Sequence, residues 1–243
     1  MREDIRLLYS VVIPVLNEQD NVLPLIEELF EVLGSGPAFE VVFVDDGSTD
    51  DTAARVQSAK PRFPALRLLR HARRSGKSAA LRSGIAVARG IWIVTMDGDG
   101  QNDPRDVPRL LEAAQADPAV ALVAGVRRKR DDTIWRRIAS RVGNGVRQAL
   151  LHDDCPDTAC GLKLIRRDVF LGLPFFDSLH RFFPALIRRH GHGVAMVLVN
   201  DRARRTGQSK YTNIGRAIAG IFDLMGVVWI MRRTTLPPAA TEV

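Results

Sequence analysis

Along the first half of the chain, short apolar runs alternate with longer amphipathic segments. Residues 10–15 (Ser-Val-Val-Ile-Pro-Val), 40–44, 66–69, 91–95 and 120–123 are such runs, bounded by polar turn residues. Runs of this length and composition predict buried strands. Helices are predicted between them, over 18–33, 52–59, 75–88 and 104–116. Strands alternating with helices predict an α/β fold, a mostly parallel sheet flanked by helices with right-handed crossovers. Ligands of such sheets sit beyond the carboxyl ends of the strands, so the residues just after each run are the candidates for chemistry. The first run is followed by Asn17-Glu18 and the second by Asp45-Asp46-Gly47-Ser48-Thr49-Asp50. A basic turn with a glycine follows the third, and Met96-Asp97-Gly98-Asp99-Gly100-Gln101-Asn102-Asp103-Pro104 follows the fourth. The fifth leads through Gly125 to Arg127-Arg128-Lys129-Arg130. These polar ends should meet in one cleft.

The C-terminal part has a different pattern. Ile214, Ile218, Ile221, Met225 and Val228 recur at spacings of four and three, which predicts a helix with one apolar stripe. Only Asp223 interrupts the apolar stretch 217–231, and that stretch is shorter than the roughly 20 residues a spanning helix needs. Arg216 precedes it and Arg232-Arg233 follow, flanks that suit a helix lying in an anionic interface. A helix packed on the core explains the stripe equally well. The domain reading is therefore one unit over 1–210 and an amphipathic extension over 211–243, with a disordered tail expected over 236–243.

Composition agrees with this picture. The 243 residues are 46% hydrophobic and 26% charged, enough to bury a full core. No linker, repeat or low-complexity stretch breaks the pattern, and residues 1–9 are too mixed for a signal segment. Cys155 and Cys160 are too few for a disulfide scaffold or a four-ligand zinc site, so a reducing compartment is expected. The formal charge of +7 concentrates over 127–141 and 202–216, which points to an anionic partner such as a phosphorylated substrate or a membrane surface. Nucleic acid is disfavoured, because no helix-turn-helix, zinc-finger or RNP-type pattern is present and aromatics are only 6%.

The turn after the fourth run carries the candidate chemistry. Carboxylates at the end of a parallel strand, with glycines that let the backbone bend close, suit a hard divalent cation. Asp97 and Asp99 can face one ion if the chain turns at Gly98. Other motifs fail when counted. The first glycine of a P-loop ending in Gly76-Lys77-Ser78 would fall on His71. The third glycine of a dinucleotide fingerprint starting at Gly98 would be Asp103. An EF-hand loop from Asp97 would have Asn102 at its glycine and Pro108 at its glutamate.

Taken in order, 13–18 (Ile-Pro-Val-Leu-Asn-Glu), 44–50 (Val-Asp-Asp-Gly-Ser-Thr-Asp) and 97–101 (Asp-Gly-Asp-Gly-Gln) resemble the family 2 glycosyltransferases with the GT-A fold. Downstream, 157–163 (Asp-Thr-Ala-Cys-Gly-Leu-Lys) with Arg166-Arg167, and 204–211 (Arg-Arg-Thr-Gly-Gln-Ser-Lys-Tyr), are similar to the polyprenyl-phosphate glycosyltransferases, the dolichol-phosphate mannose synthase group. The resemblance covers about 10–229. It implies that Pro14, Asn17, Glu18, Asp46 and Lys77 serve the nucleotide, and that Asp97, Asp99 and Gln101 hold Mg²⁺ or Mn²⁺ against a nucleotide-sugar diphosphate. It further implies that Arg204 and Lys210 close over the phosphates in catalysis with Asp99, and that Arg127, Arg136 and Ser140 grip a lipid phosphate. Gly98 departs mildly from the family pattern, which usually has alanine there. The turn 71–77 departs more, since Asn-x-Gly-Lys is usual. The family also often continues into transmembrane helices, which this sequence lacks.

The acceptor follows from elementary chemistry. A hydroxyl acceptor needs a positioned carboxylate base, whereas a phosphate monoester is already an anion and needs arginines to orient it. The arginine cluster after the fifth run, with Asp157 as the only obvious base nearby, favours a phosphate acceptor. The expected activity is inverting transfer of a sugar from GDP or UDP to polyprenyl phosphate, at the cytoplasmic face of an anionic membrane. A membrane-protein partner or a second copy of the chain is a further expected contact. A saccharide hydroxyl acceptor, or an inactive nucleotide-sugar binding module, are the alternatives.

Overall fold

A computed structural model describes residues 8–128, 134–203 and 213–235, with the side chains of 134–142 and 213–218 left outside that description. The predicted strands and helices of the first half are all present. They are β1 (Tyr9–Val15), α1 (Gln19–Leu33), β2 (Phe39–Asp45), α2 (Thr52–Ala59), β3 (Leu66–Arg70), α3 (Lys77–Val87), β4 (Trp92–Thr95), α4 (Val107–Gln115) and β5 (Val120–Arg127). Asp103 caps the single 3-10 turn Pro104–Asp106 ahead of α4, its side chain accepting from the Arg105 N–H. The chain continues through α5 (Ile134–Leu151), β6 (Lys163–Arg166), α6 (Arg167–Gly172), α7 (Phe183–Arg189), β7 (Gly193–Val199) and α8 (Asn213–Arg233).

The strands form one seven-stranded sheet in the order β3-β2-β1-β4-β6-β5-β7. Only β6 runs against its neighbours β4 and β5. Alternate side chains of a central strand point to opposite faces, so both faces of β1 must be covered. Val11, Ile13 and Val15 pack under α1, α2 and α4, while Val12 packs under α3, α6 and α7. Each fully buried Val, Ile or Phe side chain contributes about 1.5–3 kcal/mol, which is why the central strands read as unbroken apolar runs.

Helix α8 packs on the second of these layers, and of the stripe read from its sequence Val228 takes part. Val227 is fully buried, and Leu224, Val228 and Met231 pack beside it. Arg189 at the end of α7 fastens the helix by donating from Nε to the Met231 carbonyl, 3.0 Å away. Ile221 and Met225 of the stripe are 60% and 62% exposed, and Phe222 and Trp229 are exposed with them. The neighbouring seam wins because it meets α7 and the sheet face. Among the described residues no helix is long and apolar enough to cross a membrane.

Candidate active site

The carboxyl ends of β1, β2 and β4 carry the predicted polar residues side by side. The turn after β4 is shaped by close approach. A Cβ at Gly98 would sit 2.5 Å from Val15 Cγ1, so β1 and the turn lie nearer than an alanine there would easily allow. Asp97 donates its N–H to Asn102 Oδ1 at 2.9 Å, and Asp99 Oδ1 accepts from the Gln101 N–H at 3.1 Å. Asp99 is 7% exposed. Behind Asp97 lies Gly161, where a Cβ would meet the carboxylate at 2.4 Å. The glycine of the 157–163 motif is thus required by the acidic turn.

Lys77, the first residue of α3, forms an ion pair with Asp97 Oδ1. Burial alone would raise the Asp97 pKa, but the Lys77 ammonium, assisted by Lys163 and Arg127, holds it below the ordinary carboxylate value. Lys77 is delivered by the turn 71–76, and Asp46 organises that turn. Asp46 Oδ1 lies 2.8 Å from His71 Nδ1 and accepts from the Ser75 N–H, while Oδ2 accepts from the Gly76 N–H. His71 Nε2 reaches Ser83 Oγ on α3 at 2.9 Å. The departure at 71–77 is therefore an alternative brace for the same lysine, with Ser75 contributing its backbone.

Two loops beside this turn are laced together. Asn17, at a left-handed φ of 51°, accepts from the Thr49 N–H at 2.9 Å through Oδ1 and donates its own N–H to Ser48 Oγ. Glu18 donates its N–H to Thr52 Oγ1 and accepts from Asn21 Nδ2 through its carboxylate. Pro14 is half-buried at the end of β1. The loop before β6 is braced from below by Lys163. Its buried ammonium donates to the carbonyls of Thr158 and Cys160, and burial pushes its pKa down.

Arg127, at the end of β5, is engaged by acidic side chains. Its Nε and Nη2 donate to the two oxygens of Asp157 at 2.7 and 2.9 Å, and Nη1 faces Asp201 at 3.9 Å. Asp157 outweighs the effect of burial on the guanidinium and raises its pKa. The pair ties the end of β5 to the 157–163 motif and commits Asp157, the only base candidate noted there. Arg136 and Ser140 lie on α5, but their side chains are outside the described residues. Arg204, Ser209 and Lys210 also lie outside them. The segment leading to Arg204 is described, and it is stitched to the acidic turn. Arg202 donates its N–H to the Gln101 carbonyl at 3.0 Å and its Nη2 to the Asn102 carbonyl at 2.7 Å, and it pairs with Glu28.

A cleft of about 450 Å³ opens over these elements. Lys77, Asp97, Asp99 and Gln101 line one side, whereas Pro14, Asn17, Glu18 and Asp46 stand outside its walls. The opposite side was not anticipated: Asp177, His180 and Arg181 come from the connection between α6 and α7, and Asp223 from α8. The one charge interrupting the apolar stretch 217–231 was the available signal for Asp223. The donor set fits a divalent cation: two carboxylates and one amide, all oxygen, opening on the cleft. Among the described residues no three acidic, His or Cys side chains are gathered as a closed cage. This fits an ion that takes its remaining ligands from phosphate and water.

Comparison with known proteins gives the same assignment. The model of the family "Glycosyl transferase family 2" matches residues 10–172. The dodecaprenyl-phosphate galacturonate synthase of Rhizobium johnstonii is 34% identical over 232 residues, which cover 94% of this chain and 68% of that protein. The undecaprenyl-phosphate 4-deoxy-4-formamido-L-arabinose transferase of Edwardsiella ictaluri is 33% identical, covering 96% of this chain and 70% of its own. Among solved structures, glucosyl-3-phosphoglycerate synthase from Mycobacterium tuberculosis, in complex with Mn²⁺, UDP-glucose and phosphoglyceric acid, superposes with a TM-score of 0.71 at 23% identity. That match covers 92% of this chain and 79% of the other. Mannosyl-3-phosphoglycerate synthase from Rubrobacter xylanophilus gives 0.72 at 18% identity, covering 97% and 79%. Strand order, acidic turn and similarity agree: the chain belongs to glycosyl transferase family 2 and has the GT-A type of α/β fold.

Proposed function

We propose that this chain transfers a sugar from a nucleotide-sugar to a polyprenyl phosphate, with inversion at the anomeric carbon. The observation that carries the reading is the double duty of α8. Ala219 and Asp223 line the polar cleft, while Ile221, Met225 and Trp229 line an apolar groove of about 710 Å³ against Val146 and Leu150 of α5. Arg232 and Arg233 close the far end of that groove. A diphosphate site thus stands beside a lipid-compatible surface with basic flanks, which suits a peripheral position at the cytoplasmic face of an anionic membrane. The two relatives named for dodecaprenyl and undecaprenyl phosphate support the acceptor class. On this reading 1–210 is the catalytic unit and 211–243 its membrane-facing extension.

The roles follow from placement. Asp97 and Asp99, with Gln101 beside them, would hold Mg²⁺ or Mn²⁺, which supplies positive charge to the departing diphosphate. Lys77 leaves Asp97 for the donor phosphates when the cation arrives. Asn17, Glu18 and Asp46 shape the loops that receive the nucleotide, next to Pro14. Arg204 and Lys210 add charge as the diphosphate leaves. The acceptor phosphate is already an anion and needs no base, which agrees with Asp157 being held by Arg127. Arg127 therefore positions the 157–163 motif, and Arg136 and Ser140 on α5 meet the lipid phosphate.

Incubation with a panel of radiolabelled UDP- and GDP-sugars, Mg²⁺ and undecaprenyl phosphate tests the proposal. One label is expected to enter the organic phase and to stay in water when a chelator is added. Label that passes only into water-soluble saccharide would select the hydroxyl acceptor instead.

A further inference from the structure

The wall of the cleft opposite the acidic turn has chemistry that the diphosphate does not use. It is built by the connection from α6 to α7, where Ser178 takes a left-handed φ of 65° and a single 3-10 turn, Leu179–Arg181, follows. Leu179, Phe182 and Phe183 are buried on the inner side of this turn, and His180 lines the cleft on the other. Its Nδ1 lies 2.9 Å from Ser78 Oγ in the first turn of α3, a contact spanning 102 residues of sequence. Ser78 is itself 5% exposed, so the contact is shielded from water.

Burial, reinforced by the charges of Lys77, Lys163 and Arg181, pushes the imidazole well below its ordinary range. The ring is therefore neutral at neutral pH, with one N–H and one lone pair. Ser78 engages Nδ1, and Nε2 has no hydrogen-bond partner among the described residues. An uncharged imidazole is a poor phosphate ligand beside Lys77, but it suits an uncharged hydroxyl. Its location is specific too. Ser78 directly follows Lys77, so the group that fixes His180 is adjacent in the chain to the group that meets the diphosphate. The diphosphate of a nucleotide-sugar joins a nucleoside to the sugar ring. The residues assigned to the nucleoside end, Asn17, Glu18 and Asp46, stand outside this cleft, which leaves the sugar end to the His180 wall.

We propose that His180, held by Ser78, hydrogen-bonds a hydroxyl of the sugar being transferred and so helps to set donor specificity. The assignment rests on the nucleotide-sugar reading above. It differs from a packing role, in which His180 only seats α7 against α3, because it acts on the sugar and not on the nucleotide.

Titration calorimetry with Mn²⁺ separates these roles, using UDP, GDP, UDP-glucose, UDP-galacturonate and GDP-mannose as probes. His180→Ala should weaken the tightest-binding nucleotide-sugar about tenfold, the scale of one lost hydrogen bond. Affinity for the matching nucleoside diphosphate should change less than twofold. His180→Asn, which keeps an N–H, should recover part of the loss, and Ser78→Ala should show a smaller loss with the same selectivity. Ser78→Ala favours the helix and carries the comparison if His180→Ala melts early. Equal weakening of nucleotide-sugar and nucleoside diphosphate, or no weakening of either, overturns the assignment while leaving the donor site in place. A wild-type chain that binds none of the probes removes the donor reading, and this assignment with it.

Discussion

Lys77 and Asp97 form an ion pair, and each side chain is about one-third exposed. An ammonium on a carboxylate competes directly with a cation for the same oxygen. Lys77→Met should therefore tighten Mn²⁺ binding without nucleotide several-fold, measured by electron paramagnetic resonance. Turnover should fall in the same variant, because the donor phosphates lose a positive partner. Unchanged Mn²⁺ affinity would show that the ion does not use Asp97. Of the site residues, those on the acidic turn were legible because strand, glycine and carboxylate stand together in ten residues. His180 was not, since its place depends on a positive φ at Ser178 and on a partner on α3. The engagement of Arg127 by Asp157 was hidden for the same reason: the two are 30 residues apart and meet only through β5 and the loop before β6.

Several elements carry ionisable groups whose burial makes a measurable difference. On β1, Tyr9 is 1% exposed and stacks on Phe39 of β2, with ring centroids 5.6 Å apart. Burial raises its phenol pKa from 10.0 to about 12. A group whose pKa is raised on folding contributes stability that is full below the unfolded pKa and lost as pH climbs through the folded one. Unfolding free energy should thus decline between pH 10 and 12, by about 3 kcal/mol at most for this group. Tyr9→Phe should flatten that part of a urea-denaturation pH series, and an unchanged slope would contradict the account. At the end of β5, Arg127→Ala removes the guanidinium that meets both oxygens of Asp157, whose side chain is 6% exposed. A loss of about 3 kcal/mol is expected, visible as an early melting transition. A variant with wild-type melting and selective loss of lipid use would instead make Arg127 a phosphate ligand. The strands of the first half were readable because their runs are four residues or longer and mostly apolar. β6 was not, because Lys-Leu-Ile-Arg is short and bounded by charges, and its lysine is tolerated inside only through loop carbonyls. The buried seam of α8 was left open in the sequence, since periodicity marks an apolar stripe without saying which neighbour will cover it.

Across the whole molecule, the polar cleft and the apolar groove share α8, so under the proposed function one helix would serve both donor and lipid. Of the basic residues seen in the sequence, Arg127 ends β5 and Arg232 and Arg233 end α8 beside that groove. Fold class and donor side could be read from the chain because parallel sheets collect strand ends in one place. The apolar groove could not, because it is assembled from α5 and α8, which are distant in sequence. The most direct test of the central claim compares undecaprenyl phosphate with undecaprenol in anionic vesicles, using the radiolabelled nucleotide-sugar that the chain binds best. The account predicts sugar transfer to the phosphate and none to the alcohol. A phosphate monoester already carries the attacking anion, whereas an alcohol must first lose a proton, and Asp157 of the 157–163 motif is held by Arg127. Equal transfer to both lipids, or transfer to neither with label appearing on a soluble sugar, would contradict it.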